Sequence, residues 1–206
     1  MILFEETGKI ITYKEPYQDK PAGLRPKKMD WGNTALVFIC QYKEGYIKTS
    51  QGTKVIALEF IKDTQKIELF DQKRDITIKK PNEYFNQFNF NPSYNCFGYC
   101  FAESKFCLPD PTPFINEEYK ETTPNKAEII LFKGQKSFGN NNEEHFMNIH
   151  AVKVLPNGNV SFKPGINQLI ENVSKDKAIH DYDFNHKVYL RKHLSKKIKT
   201  PFQKSF

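Results

Sequence analysis

The sequence predicts an α+β fold, in which short β-strands come first and are followed by one helix and then a β-hairpin. The first half contains short segments rich in β-branched and aromatic residues, separated by polar turns. Asn95 is a good N-cap, so it favours a helix that begins at the cysteine after it. Beyond residue 125 the strand pattern returns, with an Asn-Gly turn at Asn157. Strands and helices that do not alternate regularly are typical of α+β proteins.

Length and composition fit a globular chain that needs no covalent crosslinks to build its core. The chain has 206 residues, which suits one large domain or a core with a smaller appended part. Hydrophobic residues make up 38% and charged residues 27%, which argues against disorder. Aromatic residues make up 14%, a content that suits a β-rich core filled with rings.

The net charge of +7 is concentrated at the carboxyl end. The segment from Lys187 to Phe206 carries 7 basic residues and no acidic residue, which leaves 24 of each sign in the rest of the chain. We therefore predict a basic tail, either solvated or in contact with an acidic surface. A specific nucleic-acid binder would show basic residues interleaved with aromatic ones across a face, so we expect none here.

Membrane and export signals are not visible in the sequence. The longest apolar run, from Ala35 to Cys40, is far too short to span a bilayer. Two glutamates follow the first four residues, which does not fit a secretory signal. We expect a cytoplasmic protein, or one exported without a visible signal peptide.

The strand and turn signals divide the chain into three parts. The first is a β-rich amino-terminal region, 1–85; the second is a core, 86–186, that holds three of the four cysteines and most of the histidines; the third is the basic tail, 187–206. We expect a helix within 166–182. Strands are predicted at 35–40, 55–61, 66–70, 75–79, 127–133, 145–155 and 159–163.

Three of the four cysteines lie close together, and their positions distinguish them. Cys96 lies in the first turn of the predicted helix, where unpaired N–H groups and the helix dipole favour a thiolate. Cys100 lies one turn deeper and is expected in the core, and Cys107 follows the helix. A disulfide framework is typical of short secreted chains, so these cysteines are not expected to form one. A structural Cys96 is the alternative to a nucleophilic one.

A nucleophilic cysteine needs a base, and His150 is the candidate because it lies inside a predicted strand. Alternation places it on one face with Asn148 and Val152. A two-residue turn at 157–158 would bring Ser161 and Lys163 to that same face. Asn148 or Ser161 could then orient the imidazole. The alternative is a half-buried structural histidine.

A metal site is the rival hypothesis, and the spacings speak against it. Cys96-x3-Cys100 and His145-x4-His150 match no common zinc pattern, and strand residues five apart point to opposite faces. Neither the deaminase motifs nor a glycine-rich phosphate loop is present. We therefore expect no cofactor and no metal.

Two segments, "YNCFGYCFA" around Cys96 and "IHAVKVLPNGNVSFKPG" around His150, resemble the papain-like cysteine peptidase and amidase superfamily, especially its bacterial NlpC-like members. The resemblance covers about residues 95–182. It implies a helix-start cysteine packed on an antiparallel β-sheet, with Cys96 as nucleophile and His150 as base. The third catalytic group would come from the next strand, where Ser161 and Phe162 stand.

The sequence thus predicts a cysteine hydrolase that cleaves an amide or peptide bond, with Cys96, His150 and Ser161 as its catalytic residues. The resemblance implies a peptide, protein or peptidoglycan-peptide substrate, as in a cell-wall hydrolase or an effector or toxin. The alternative is a catalytically inactive binding or structural protein on the same fold. Zinc binding is a third and weaker hypothesis.

Overall fold

The computed structural model describes residues 2–16, 34–71, 76–79, 91–136, 145–165, 167–176 and 186–193. Within these ranges the chain forms two antiparallel β-sheets, together with short helical segments. We call them the N-terminal sheet and the C-terminal sheet. Both predicted site segments, around residues 96 and 150, lie within the described ranges.

The N-terminal sheet is built around one long strand. Its strands are β1 (Glu5–Pro16), β2 (Thr34–Lys48), β3 (Lys54–Phe60), β4 (Lys66–Asp71) and β5 (Ile76–Lys79). β1 pairs along one edge of β2, β4 and β3 divide its other edge, and β5 pairs with β4. The sequence located β3, β4 and β5. It missed β1, and it ended β2 at Cys40. Polar residues interrupt the apolar run after Cys40, although the pairing of β2 with its neighbours continues to Lys48.

The C-terminal sheet carries the predicted site hairpin. Its strands are β6 (Tyr119–Glu121), β7 (Ile129–Lys136), β8 (His145–Val154), β9 (Val160–Phe162), β10 (Ile170–Val173) and β11 (His186–Lys192). Their order across the sheet is β10-β9-β8-β7-β11-β6. The helix predicted within 166–182 is wrong for residues 170–173, which pair with β9, but residues 175 and 176 within that range are helical. Residues 177–182 lie outside the described residues.

The two helices are α1 (Cys96–Phe101) and α2 (Thr112–Glu118). Buried residues of α1 and of both sheets form one hydrophobic cluster, the main cluster. From α1 and the sheets it includes Cys96, Phe97, Cys100, Phe101, Ile47, Val55, Ala57, Ile129, Leu131, Ala151, Val188 and Leu190. A second cluster is formed by Ile130, Phe132, Val152, Val160 and Phe162. Because strand residues alternate between faces, the C-terminal sheet separates the two clusters.

The turn between β2 and β3 is tied to α2 by hydrogen bonds. The Thr49 and Thr53 hydroxyls donate to the carboxylate of Glu117. The backbone N–H of Ser50 donates to Glu118 Oε1 at 2.7 Å. Hydrogen bonds to a charged carboxylate are stronger than neutral ones, so they fix the β2–β3 turn against α2.

The expectation of a papain-like α+β core is wrong. The described part of the chain is mostly antiparallel β-structure, and its named helices span only 6 and 7 residues. α1 ends early because the backbone reverses after it, with Glu103 and Ser104 at positive φ. Its burial comes from packing on both sheets rather than from length, since a six-residue helix has little stability of its own.

The predicted division of the chain does not follow the packing. Ile47 and Val55, from the β-rich region 1–85, share the main cluster with α1 and the C-terminal sheet. The predicted boundary near residue 85 lies outside the described residues. The predicted basic tail, 187–206, contains most of β11, in which Val188 and Leu190 are buried. The basic residues on either side of Val188 and Leu190 made this strand resemble a charged tail in the sequence.

In the described ranges we find no helix with the length and apolar composition that crossing a bilayer requires.

Candidate functional site

The helix start at Cys96 is confirmed, and Asn95 holds it. The Oδ1 atom of Asn95 accepts the Gly98 N–H at 2.8 Å as an N-cap. The same oxygen accepts the N–H of Leu108 at 3.0 Å, and its Nδ2 donates to the Leu108 carbonyl at 2.8 Å. Asn95 therefore fixes both the beginning of α1 and the segment that returns beside it.

Cys96 is a buried thiol in the main cluster. It is 7% exposed and packs with Ala151 of β8 in the main cluster, where the Ala151 backbone N–H favours its thiolate form. That contact, the helix-start N–H groups and the Lys163 charge favour the thiolate, but burial is the larger effect and raises the pKa of Cys96 to about 11. At neutral pH the side chain is therefore protonated. The sequence correctly identified the helix start but not its burial.

His150 is also buried and neutral. It is 4% exposed, and its ring centre lies 6.0 Å from that of Phe132 and 5.8 Å from that of Phe162. Burial lowers the pKa of His150 to about 3, because desolvation penalises the imidazolium. The histidine therefore lies in the strand and among buried neighbours, as the alternative structural interpretation held.

Cys96 and His150 lie on opposite faces of the C-terminal sheet. Successive residues of β8 point to opposite sides, and Ala151 meets Cys96 in the main cluster. His150 instead contacts Phe132 and Phe162 of the second cluster. A thiol and an imidazole that exchange a proton need contact of about 3 Å, so this arrangement does not bring the two residues together.

Ser161 lies on the Cys96 face rather than the His150 face. Lys153 pairs with Ser161 across β8 and β9, whereas Val152 pairs with Phe162. Ser161 is 2% exposed, its hydroxyl accepts the Asn172 N–H at 3.2 Å, and it lowers the pKa of Tyr99 against the larger effect of burial. It therefore links β9 to the next segment and to α1, and it does not orient the imidazole.

A one-residue difference in hairpin register explains the position of Ser161. Leu155 N–H donates to the Asn159 carbonyl at 2.8 Å, so the loop has three residues, not two. Gly158 takes φ of 83°, as in a three-residue loop whose last residue is left-handed. A one-residue shift reverses the face of every side chain on the returning strand. Lys163 consequently also lies on the Cys96 side.

Asn148 was the other candidate to orient the imidazole. Its Nδ2 donates to the Thr112 hydroxyl at 3.2 Å, which connects β8 to the start of α2. Two residues apart on a regular strand, Asn148 and His150 would share a face. The pairing of β7 with β8 shifts between Phe132 and Lys133, however, and Ile149 is an extra residue between Asn148 and His150. Regular alternation therefore does not hold across this bulge.

Two tyrosines and two lysines on the Cys96 side form a group that the sequence analysis did not identify as a site. Tyr94 and Tyr99 stack with ring centres 6.3 Å apart. The Nζ atom of Lys153 lies 4.1 Å from the centre of the Tyr99 ring, and that of Lys163 lies 5.3 Å from the Tyr94 ring. We call these four residues the Tyr–Lys surface. The tyrosines flank Cys96 in sequence, but only the register places the lysines beside them.

The Tyr–Lys surface combines half-buried residues with one that is fully buried. Tyr94, Tyr99 and Lys153 are half-buried, whereas Lys163 is 0% exposed and donates to the Gly165 carbonyl at 2.7 Å. Burial raises the pKa of both tyrosines, with a smaller contribution from the charge of Glu171. The phenols therefore remain hydrogen-bond donors at neutral pH.

The remaining cysteines are free thiols. Cys100 is buried in the main cluster, as the sequence predicted, and its pKa is raised well above the ordinary value by burial. Cys107 donates to the Pro92 carbonyl at 3.5 Å, and Cys40 lies in a third cluster on the N-terminal sheet. No disulfide joins the four, and the described residues contain no group of three or more metal-ligating side chains.

Searches of protein-family models, curated proteins and solved structures found no match to this chain.

Proposed function

We propose that the protein is a non-catalytic binding protein, with the Tyr–Lys surface as its ligand site. The observation that carries this proposal is the position of Cys96 and His150 on opposite faces of β8. Each is also buried and neutral at physiological pH, with the pKa of Cys96 at about 11 and that of His150 at about 3. A thiolate–imidazolium pair needs the opposite shifts and direct contact.

The Tyr–Lys surface supports the choice of a binding site. It combines aromatic rings with ammonium and hydroxyl donors, a mixture that suits recognition because the rings supply contact area and the donors supply orientation. Tyr99 comes from α1 and Lys153 from β8, so rigid elements hold both. The hydrogen bond from the Asn172 N–H to Ser161, at 3.2 Å, fixes the segment beside them.

Alkylation of Cys96 across pH 6–10 tests this proposal, with the modified cysteine identified by peptide mass spectrometry. Because burial raises the pKa of Cys96 to about 11, we expect its rate to increase about tenfold per pH unit over this range, without a plateau. At pH 7 it should react more slowly than a free cysteine of pKa about 8.5. Cys96→Ala should remove the signal at this peptide, and the control Cys100→Ala should leave it.

Hydrolysis of an amide or peptide bond through Cys96 and His150 stays a prediction, and the same measurement tests it. A plateau of Cys96 reactivity below about pH 7 would reveal a preformed thiolate. Loss of that plateau in His150→Gln would then assign the base. That pair of results would replace the binding proposal with the cysteine hydrolase.

A further inference from the structure

The Tyr–Lys surface presents hydrogen-bond donors in the part that solvent reaches. Lys153 offers an ammonium group, and Tyr94 and Tyr99 offer phenol O–H groups that burial keeps protonated. Ser161 Oγ accepts the Asn172 N–H at 3.2 Å, which holds that segment beside the tyrosines. A ligand that supplies acceptor oxygens matches this set.

Lys163 lies behind the tyrosines, with its Nζ atom 5.3 Å from the centre of the Tyr94 ring. It is fully buried and donates to the Gly165 carbonyl at 2.7 Å. Its effect already reaches Cys96, where it lowers the thiol pKa against the larger effect of burial. Glu171 is exposed and opposes an anion, since its charge also reaches both phenols.

The kind of donor distinguishes among anions. A carboxylate is matched best by the planar fork of an arginine, whereas lysine acts as a point charge and is a common phosphate ligand. The Tyr–Lys surface offers an ammonium and two phenols, which are separate single donors rather than a planar fork. Separate single donors suit a tetrahedral group with several acceptor oxygens.

We infer that the Tyr–Lys surface binds a phosphate group, as the free ion or as a phosphate monoester. This inference rests on the proposed binding function and adds the chemical class of the ligand. Lys153 and the two phenols contact the phosphate oxygens, and Lys163 lies behind them without contact to the ligand.

Calorimetric titration of the full chain at constant ionic strength tests the inference with three probes: inorganic phosphate, phenyl phosphate and benzoate. We expect a phosphate probe to bind at least tenfold more tightly than benzoate. Lys153→Met keeps an aliphatic side chain over Tyr99 and removes the charge. It should weaken phosphate binding about tenfold or more, because a charge-assisted hydrogen bond is lost. Tyr99→Phe keeps the ring and should weaken it severalfold.

Lys126→Met is the matched control, because Lys126 is an exposed lysine on a 3-10 turn outside the Tyr–Lys surface. It should bind phosphate as the unmodified chain does. Equal affinity for inorganic and phenyl phosphate would identify the free ion, and tighter phenyl phosphate binding a monoester. Both results support the inference. Equal binding of benzoate, equal losses in Lys153→Met and Lys126→Met, or no phosphate binding would overturn it.

The failure of this inference differs from failure of the proposed function. If no phosphate probe binds while Cys96 alkylation still rises without a plateau, only the ligand class is wrong. If Cys96 shows a thiolate below about pH 7, the non-catalytic function itself is wrong.

Discussion

Gly98→Ala is expected to prevent stable folding, with a loss of more than about 3 kcal/mol in the free energy of unfolding. A Cβ atom at Gly98 would lie 1.7 Å from the carbonyl oxygen of Phe106 and 2.9 Å from its carbon. Both are backbone atoms, so no side-chain rotation relieves the overlap. Helix propensity alone predicts the opposite, a gain of up to about 1 kcal/mol for alanine in a helix.

The segment beside Gly98 cannot move away easily, because it is held on both sides. Asn95 bonds both the N–H and the carbonyl of Leu108. On the other side Cys107 and Leu58 exchange two backbone hydrogen bonds, each 2.9 Å long. Relief of the overlap would break the helix cap or the bridge to β3. Either change separates α1 from the two sheets.

Urea unfolding measures the effect of Gly98→Ala, and Gly134→Ala is its matched control. A Cβ atom at Gly134 would meet Ile149 Cδ1 at 2.7 Å, and that atom is the flexible end of a side chain. We expect Gly134→Ala to change the free energy of unfolding by about 1 kcal/mol or less. A Gly98→Ala protein as stable as the control would contradict the packing of α1 described above.

Protein stability is expected to fall as the pH drops from 6.5 toward 5, and His150 is the cause. The pKa of His150 is about 3 in the folded protein against an ordinary value of 6.5. The unfolded chain therefore takes up a proton below pH 6.5 that the folded chain refuses until about pH 3. Stability is fully present above pH 6.5 and falls by up to about 1.4 kcal/mol per pH unit below it. Between pH 6.5 and 5 this amounts to roughly 2 kcal/mol.

Urea midpoints at pH 7, 6 and 5 measure this dependence, and a glutamine at position 150 should abolish most of it. His150→Gln changes the stability at pH 7 as well, but the slope against pH is the informative quantity. His186→Gln is the control, since His186 is exposed at the start of β11. It should keep the slope of the unmodified chain. An unchanged slope in His150→Gln would mean that this imidazole is not the buried neutral group described here.

Local sequence patterns predicted the parts of the site that depend on neighbouring residues. Asn95 identified the helix start because an N-cap acts within one turn. Alternation correctly placed His150 on one face with Val152, and both residues lie on the side of the second cluster. In each case the interaction spans only a few residues.

The remaining features depend on pairing between distant segments, which local patterns do not encode. The Asn157-Gly158 pair favours a two-residue turn, but Pro156 joins them in a three-residue loop. That single difference moved Ser161 and Lys163 away from His150 and created the Tyr–Lys surface. Cys96 illustrates a second limit. Its helix-start position favours a thiolate, yet burial by both sheets outweighs that effect and raises its pKa to about 11.

The fold class was mispredicted for a related reason. The short motifs around Cys96 and His150 resemble those of a papain-like core, in which helix and sheet bring the two residues to one face. In this chain the Cys96 motif forms α1 and the His150 motif forms β8 and β9 of an antiparallel sheet, and β8 turns His150 toward the second cluster. A motif specifies residue types and order, whereas strand register specifies which face they occupy.

The most direct test of the separation of Cys96 from His150 is the ring NMR signal of His150, followed from pH 8 to 5 in the unmodified protein and in Cys96→Ala. We expect a neutral imidazole that does not titrate in this range, because burial lowers its pKa to about 3. The two proteins should give the same His150 signal, since the sheet lies between the two side chains. An imidazole that titrates in this range, with a pKa that Cys96→Ala shifts, would contradict the account and place the two residues in contact.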